Sequence, residues 1–166
     1  MNISVDEFFS RPAEQLVLEG YRYWSKGYAL GSIVPWEAAR AMFLDNLGND
    51  NGRRALSSLS NFVSILGNCA SCPLKTYPYG ARHLCGDEVL ILGLISGIQY
   101  DDLESTSLCL ELLSCPSQCD HVATAAGEFA LVLKTMNKIL LPIPKQVIES
   151  VVSGAKHAHP AKSTLH

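Results

Sequence analysis

Apolar residues recur at spacings of three and four along almost the whole chain, and nowhere do they alternate for long enough to build a half-buried strand. That regularity predicts an all-α protein. A length of 166 residues suits one domain, able to bury about two thirds of the surface its unfolded chain would expose without a disulfide or a metal to hold it together. The expectation is a single-domain bundle of six or seven helices over residues 1–153, followed by a flexible C-terminal tail at 154–166.

Breakers and caps divide the pattern. Pro12 suits the first position of a helix that carries Leu16, Val17 and Trp24 and ends near Gly27; Pro35 opens a second, with Trp36, Ala39, Phe43 and Leu47, which Gly48 stops. The cleanest amphipathic pattern follows, from Asn49 or Asp50 through Ala55, Leu59, Phe62, Val63 and Leu66, with Gly67 and Asn68 as its C-terminal signal. A helix over about 87–100 opens with Asp87 and Glu88 at the positive end of its dipole and is apolar on every side from Val89 to Ile98, which places it at the centre of the bundle. Gly93, Ser96 and Gly97 would admit a close neighbour there. A fifth helix starts at Asp101 or Asp102, and the last long one runs from about Ser117 to Leu141, its Val122, Ala126, Phe129, Leu133, Met136 and Leu140 spaced like a heptad seam. A short helix is expected over 145–152.

One stretch resists both periodicities. Residues 68–84 contain Cys69, Cys72, Pro73, Tyr77, Pro78, Tyr79 and Gly80. A structureless connection longer than about 12–15 residues is uncommon in a compact domain unless it is functional or disordered, and its tyrosines and cysteines argue against disorder.

Five of the six cysteines bracket the breaks in helical pattern: Cys69, Cys72 and Cys85 around this loop, Cys115 and Cys119 at the second interruption, with His83 and His121 each two residues from one of them. A Cys-x-x-Cys pair places two thiolates on one ion because a tight turn brings the sulfurs together, and structural zinc takes four such Cys or His ligands. Cys69, Cys72, Cys85 and His83 can close a site within the loop; Cys115, Cys119 or His121 can complete one if the last helix starts nearby. An iron–sulfur cluster is the other occupant this donor set allows, although neither the zinc-ribbon nor the ferredoxin spacing is matched. Two plainer outcomes stand beside it: buried cysteines that act as small hydrophobes, as expected for Cys109, and thiol redox chemistry, for which Cys69-x-x-Cys72 lacks the strand-then-helix setting of thioredoxin.

Charge narrows the partners. The net charge is −3, yet between Arg82 and Lys134 there is no lysine or arginine while eight acids occur, so this stretch repels phosphate. A DNA-binding regulator using residues 87–113 as a helix-turn-helix is therefore disfavoured, and nucleic acid with it. Arg53 and Arg54, with Arg82, are the only basic grouping outside the tail, and a solvated face explains them. No apolar run reaches the roughly 20 residues of a membrane span, and the opening residues carry acids where a secretory signal carries lysines. A cytoplasmic chain is the expectation, a setting in which thiols stay reduced.

Tyr21, Tyr23, Trp24 and Tyr28 form an aromatic group expected at the core boundary or on a partner surface. No motif of a hydrolase, a metalloprotease, a P-loop or a dinucleotide fold is present, so catalysis is not implied. The function expected from residues alone is a small regulatory or accessory protein in which a Cys/His-bound zinc ion or an iron–sulfur cluster orders the 68–84 loop for a protein partner, with a homodimer allowed. The alternatives are a helical interaction protein with inert thiols, or a thiol-redox protein.

Overall fold

A computed structural model describes residues 5–70, 74–151 and 153, and every regular element among them is helical apart from one isolated β-bridge. The elements are α1 (Val5–Ser10), α2 (Pro12–Leu30), α3 (Val34–Leu47), α4 (Asn49–Cys69), α5 (Gly86–Gln99), α6 (Leu103–Leu113), a 3₁₀ turn (Pro116–Gln118), α7 (Cys119–Thr135) and α8 at residues 145–151. The 154–166 tail and Cys72 lie outside the described residues. No described helix is long and apolar enough to cross a membrane.

Helix α4 packs between α3 and α7, α5 packs on α6 and α7, and α2 lies along α3. Phe62 of α4 stacks on Phe129 of α7 with ring centroids 6.1 Å apart. The continuous apolar run of α5 has the burial its composition demands, since residues 90–97 have no exposed face. The small residues expected to admit a neighbour do so. A Cβ at Gly97 would lie 2.6 Å from the Thr106 hydroxyl of α6, and one at Gly93 would lie 3.0 Å from the Cys109 sulfur. The Ser96 hydroxyl donates to the Leu141 carbonyl at 2.9 Å.

Four helix boundaries depart from the sequence expectation, each for a local reason. Helix α1 was not anticipated, because six residues are too few for a periodicity to register. Helix α2 runs past Gly27 to Leu30, because Gly27 leaves room for the Trp36 indole, whose N–H donates to the Trp24 carbonyl at 3.0 Å. The end comes instead at Gly31, left-handed at φ 59°, after which the Ser32 N–H returns to the Gly27 carbonyl. Helix α4 continues through Gly67 and Asn68 to Cys69, which shortens the loop to residues 70–85.

The last long helix stops at Thr135, not at Leu141. Asn137 takes φ 60°, the Lys138 N–H bonds back to the Leu133 carbonyl at 2.9 Å and the Asn137 N–H to the Lys134 carbonyl at 3.0 Å. This is the two-bond C-terminal cap that asparagine can enter as glycine does. Leu140 is still buried, as the heptad spacing required, but it reaches the core from an extended segment. The Gln99 side chain fixes that segment by donating to the Ala130 and Lys138 carbonyls and accepting from the Leu140 N–H.

Candidate functional site

The loop between α4 and α5 is tied to the helices by one side chain. Arg22, in the middle of α2, has no exposed side-chain surface. A guanidinium has five N–H donors, and each finds an acceptor. Nε meets Glu88 Oε2, and Nη2 reaches Glu88 Oε1 at 3.2 Å and the His83 carbonyl at 2.7 Å. Nη1 reaches Glu19 Oε1 at 3.0 Å and the Ala81 carbonyl at 2.9 Å. Two of the five bonds therefore hold loop backbone directly.

The carboxylates extend that grip. Glu88 accepts the Cys85 N–H at 3.0 Å, closing the first turn of α5, and the Thr76 hydroxyl at 3.3 Å. Glu19 Oε2 accepts the Gly80 N–H at 3.2 Å, and Asp87 accepts the Lys75 N–H at 2.7 Å. The Tyr21 hydroxyl donates to the Lys75 carbonyl at 3.3 Å, and Tyr23 stacks on Tyr79 at 4.3 Å between centroids. Residues 74–85 thus have fixed partners from α2 and α5 along their length. Tyr77 and Tyr79 nevertheless remain exposed.

Burial raises the Glu19 carboxyl above its ordinary value, and Arg22 and the Gly80 N–H oppose that rise. It also raises Glu14, which Arg11 counters with bonds of 3.0 and 2.9 Å from Nε. The expectation that Asp87 and Glu88 cap a helix holds for the Cys85 bond, but Glu88 also serves as the buried counter-charge of Arg22. In the sequence Arg22 lies between Tyr21 and Tyr23. Its sequence signal is Glu19 at i−3, an acid placed one helical turn before the arginine.

Among the described residues, the four cysteines that flank the breaks divide between two places. At the first, the chain leaving α4 pairs with the chain leaving α6. Ala70 and Ser114 form an antiparallel bridge, and the Cys115 N–H donates to the Cys69 carbonyl at 3.0 Å. That register sets Cys69 opposite Cys115. The Cys69 sulfur, buried, lies 3.6 Å from Gln118 Oε1, and the Cys115 sulfur is 3.9 Å from the Ala70 carbonyl. Cys119, one turn on, has its sulfur 3.2 Å from the Ser114 hydroxyl and 3.8 Å from the Leu110 carbonyl.

At the second place, Cys85 precedes α5 and its thiol donates to the Lys75 carbonyl at 3.3 Å. Burial pushes this thiol up to about 11, and the carboxylates of Glu88 and Asp87 push the same way, which is the reverse of what activates a cysteine at a helix N-terminus. His83 is exposed and contributes its carbonyl to Arg22, and His121 is exposed in the first turn of α7. Cys109 is fully buried between α5 and α6 as expected, and burial pushes its thiol up to about 12.

Among the described residues no three Cys, His, Asp or Glu side chains come together as metal ligands. Cys72, the partner that the Cys-x-x-Cys spacing supplies to Cys69, is not among them. Arg53 and Arg54 are exposed on α4, and Asp102 caps α6 by accepting the Ser105 N–H at 3.2 Å. Compared with family models, curated proteins and solved structures, the chain matches none, so the loop and the cysteine junction carry the functional argument.

Proposed function

We propose that this is a small cytoplasmic regulatory or accessory protein, a bundle of helices organised around α5, whose 74–85 loop is the surface offered to a protein partner. The supporting observation is that all five donors of the buried Arg22 are used, two of them on the loop carbonyls of Ala81 and His83, while Tyr77 and Tyr79 are left facing solvent. Ordering a loop in advance removes an entropic cost from association, and tyrosine supplies large contact area with few rotatable bonds. The buried ion pair holds the loop backbone from within the bundle. A photo-crosslinking residue at position 77, compared with one at the exposed Glu37 of α3, tests the proposal in the native host. A discrete adduct at 77 that disappears with Arg22→Lys is expected. Equal labelling at both positions, or none at 77, overturns it.

A second proposal keeps the metal but moves it to the junction. Cys69 and Cys115 occupy opposed backbone positions with Cys119 one turn away, and Cys72 is the fourth thiol within reach by sequence; four thiolates have the chemistry of a structural zinc site. The contacts of Cys85 and His83 are instead with the loop and Arg22. Zinc bound there would tie the end of α4 to the start of α7. Metal content of protein purified without oxygen, with the visible spectrum of a cobalt-substituted sample, decides it. One equivalent of zinc lost with Cys115→Ser is expected, an iron–sulfur cluster would colour the protein, and metal-free protein that takes up no cobalt removes the proposal.

A further inference from the structure

A cavity of about 360 Å³ opens between α1, α2, α3 and the loop. That volume falls in the range of small-molecule sites, about 300–1,000 Å³. Its apolar wall includes Phe8, Leu18, Met42 and Leu84, and its polar lining includes Gln15, Glu19, Asn46 and Arg82.

The polar groups are not evenly used. Arg82 pairs one nitrogen with Asp6 at 2.6 Å and stands 5.7 Å above the Phe9 ring. The Gln15 amide nitrogen donates to the Phe9 carbonyl at 2.6 Å and that of Asn46 to the Met42 carbonyl at 2.8 Å, so both side chains have their amide oxygens to offer. Glu19 accepts one bond at each oxygen, from Arg22 and from Gly80, while a carboxylate has about four lone-pair sites. The acceptors left in the lining are the two amide oxygens and the remaining lone pairs of Glu19.

Charge runs the same way. Among the described residues, Arg11 pairs with Glu14 and Arg82 with Asp6 at this end of the molecule. Arg22 is shared between two carboxylates, Glu19 and Glu88. Glu88 has no exposed side-chain surface and Glu19 retains 11 %, so the surplus negative charge reaches the cavity through Glu19.

We propose that this cavity binds a small organic cation, a primary ammonium on an apolar body, with Glu19 as its counter-charge and the amide oxygens of Gln15 and Asn46 as further acceptors. An ammonium has three donors and no acceptor, which suits the Glu19 carboxylate and the free amide oxygens, and the alkyl or aryl body takes the apolar wall. Tyr79 of the loop is part of the lining, so the site adjoins the surface proposed for a partner, but it is separate from the cysteine junction.

Phenethylamine is the probe, with phenylacetate as its match in size and its opposite in charge, both titrated calorimetrically into the full-length chain. Saturable binding of the amine at one site and none of the acid is expected. Glu19→Gln should weaken the amine by about tenfold or more, the loss of one charge-assisted bond. Met42→Trp fills the cavity from α3 without touching the Arg22 network and should abolish binding with the unfolding midpoint retained, which keeps the proposal testable if Glu19→Gln fails to fold. No binding of the amine, equal binding of the acid, or unchanged affinity in the folded Met42→Trp variant overturns it.

Discussion

Arg22 and Glu88 stand 66 positions apart in the chain and meet through two parallel hydrogen bonds, Nε to Oε2 and Nη2 to Oε1, with neither side chain exposed. The contact joins the middle of α2 to the first turn of α5, and the loop carbonyls of Ala81 and His83 complete the guanidinium's shell. A buried ion pair of this kind gains little over a hydrophobic replacement but is costly to break on one side only.

Arg22→Met should therefore destabilise the fold by about 3–5 kcal/mol, a large share of the roughly 5–15 kcal/mol that holds a domain together. Urea unfolding followed by circular dichroism measures it as a lowered midpoint at unchanged slope. Arg22→Lys keeps the charge but supplies three donors for five acceptors. Its loss should be smaller and local, seen as faster hydrogen exchange at the Gly80 and Cys85 amides, which bond Glu19 and Glu88.

Stability should fall as the pH rises from mildly acidic values. Burial holds Glu14 and Glu19 above the ordinary value of 4.5, so the folded chain binds more protons than the unfolded one in the interval above it. Their contribution is fully present below pH 4.5 and is lost as the pH passes through the raised folded values. Unfolding midpoints of the wild type and Glu19→Gln, measured across that interval, should converge at low pH and separate upwards, with the wild type the steeper. Parallel curves would contradict the assignment.

Thiol labelling should sort the cysteines by environment. Cys109, with its thiol pushed up to about 12, should resist iodoacetamide at pH 8 until the protein unfolds, and Cys85, at about 11, should react far more slowly than an exposed thiol. Peptide mapping of native and urea-treated protein reads both. Rapid native labelling of Cys85 would show that its bond to the Lys75 carbonyl does not persist in solution.

Asn137→Ala should cost about 1–2 kcal/mol, because the left-handed φ of 60° crowds a Cβ against the following carbonyl and alanine has no polar side chain to offset it. Asn137→Gly should match or exceed the wild type, since glycine enters that region freely. Thermal unfolding of the three proteins gives the order. A neutral alanine variant would mean that the cap does not set where α7 ends.

The spacing of apolar residues was enough to determine that this chain is helical, roughly where most helices lie, and that the apolar run of α5 is buried, fully so over residues 90–97. Those properties are local: a face buried at every third or fourth position writes itself into the order of residues. Helix ends were less legible. Gly27 was a packing site for Trp36 and not a stop, and Asn137 was a stop inside an unbroken apolar pattern, because only a neighbouring element decides which role a small residue plays. The site divides the same way. Sequence showed that the loop was unusual and that cysteines flanked it, and the helix ends placed Cys69 opposite Cys115. It was silent on Arg22, since the worth of a buried charge depends on a partner 66 residues distant. No periodicity encodes that pairing; it exists only once α2 and α5 have excluded water from between them.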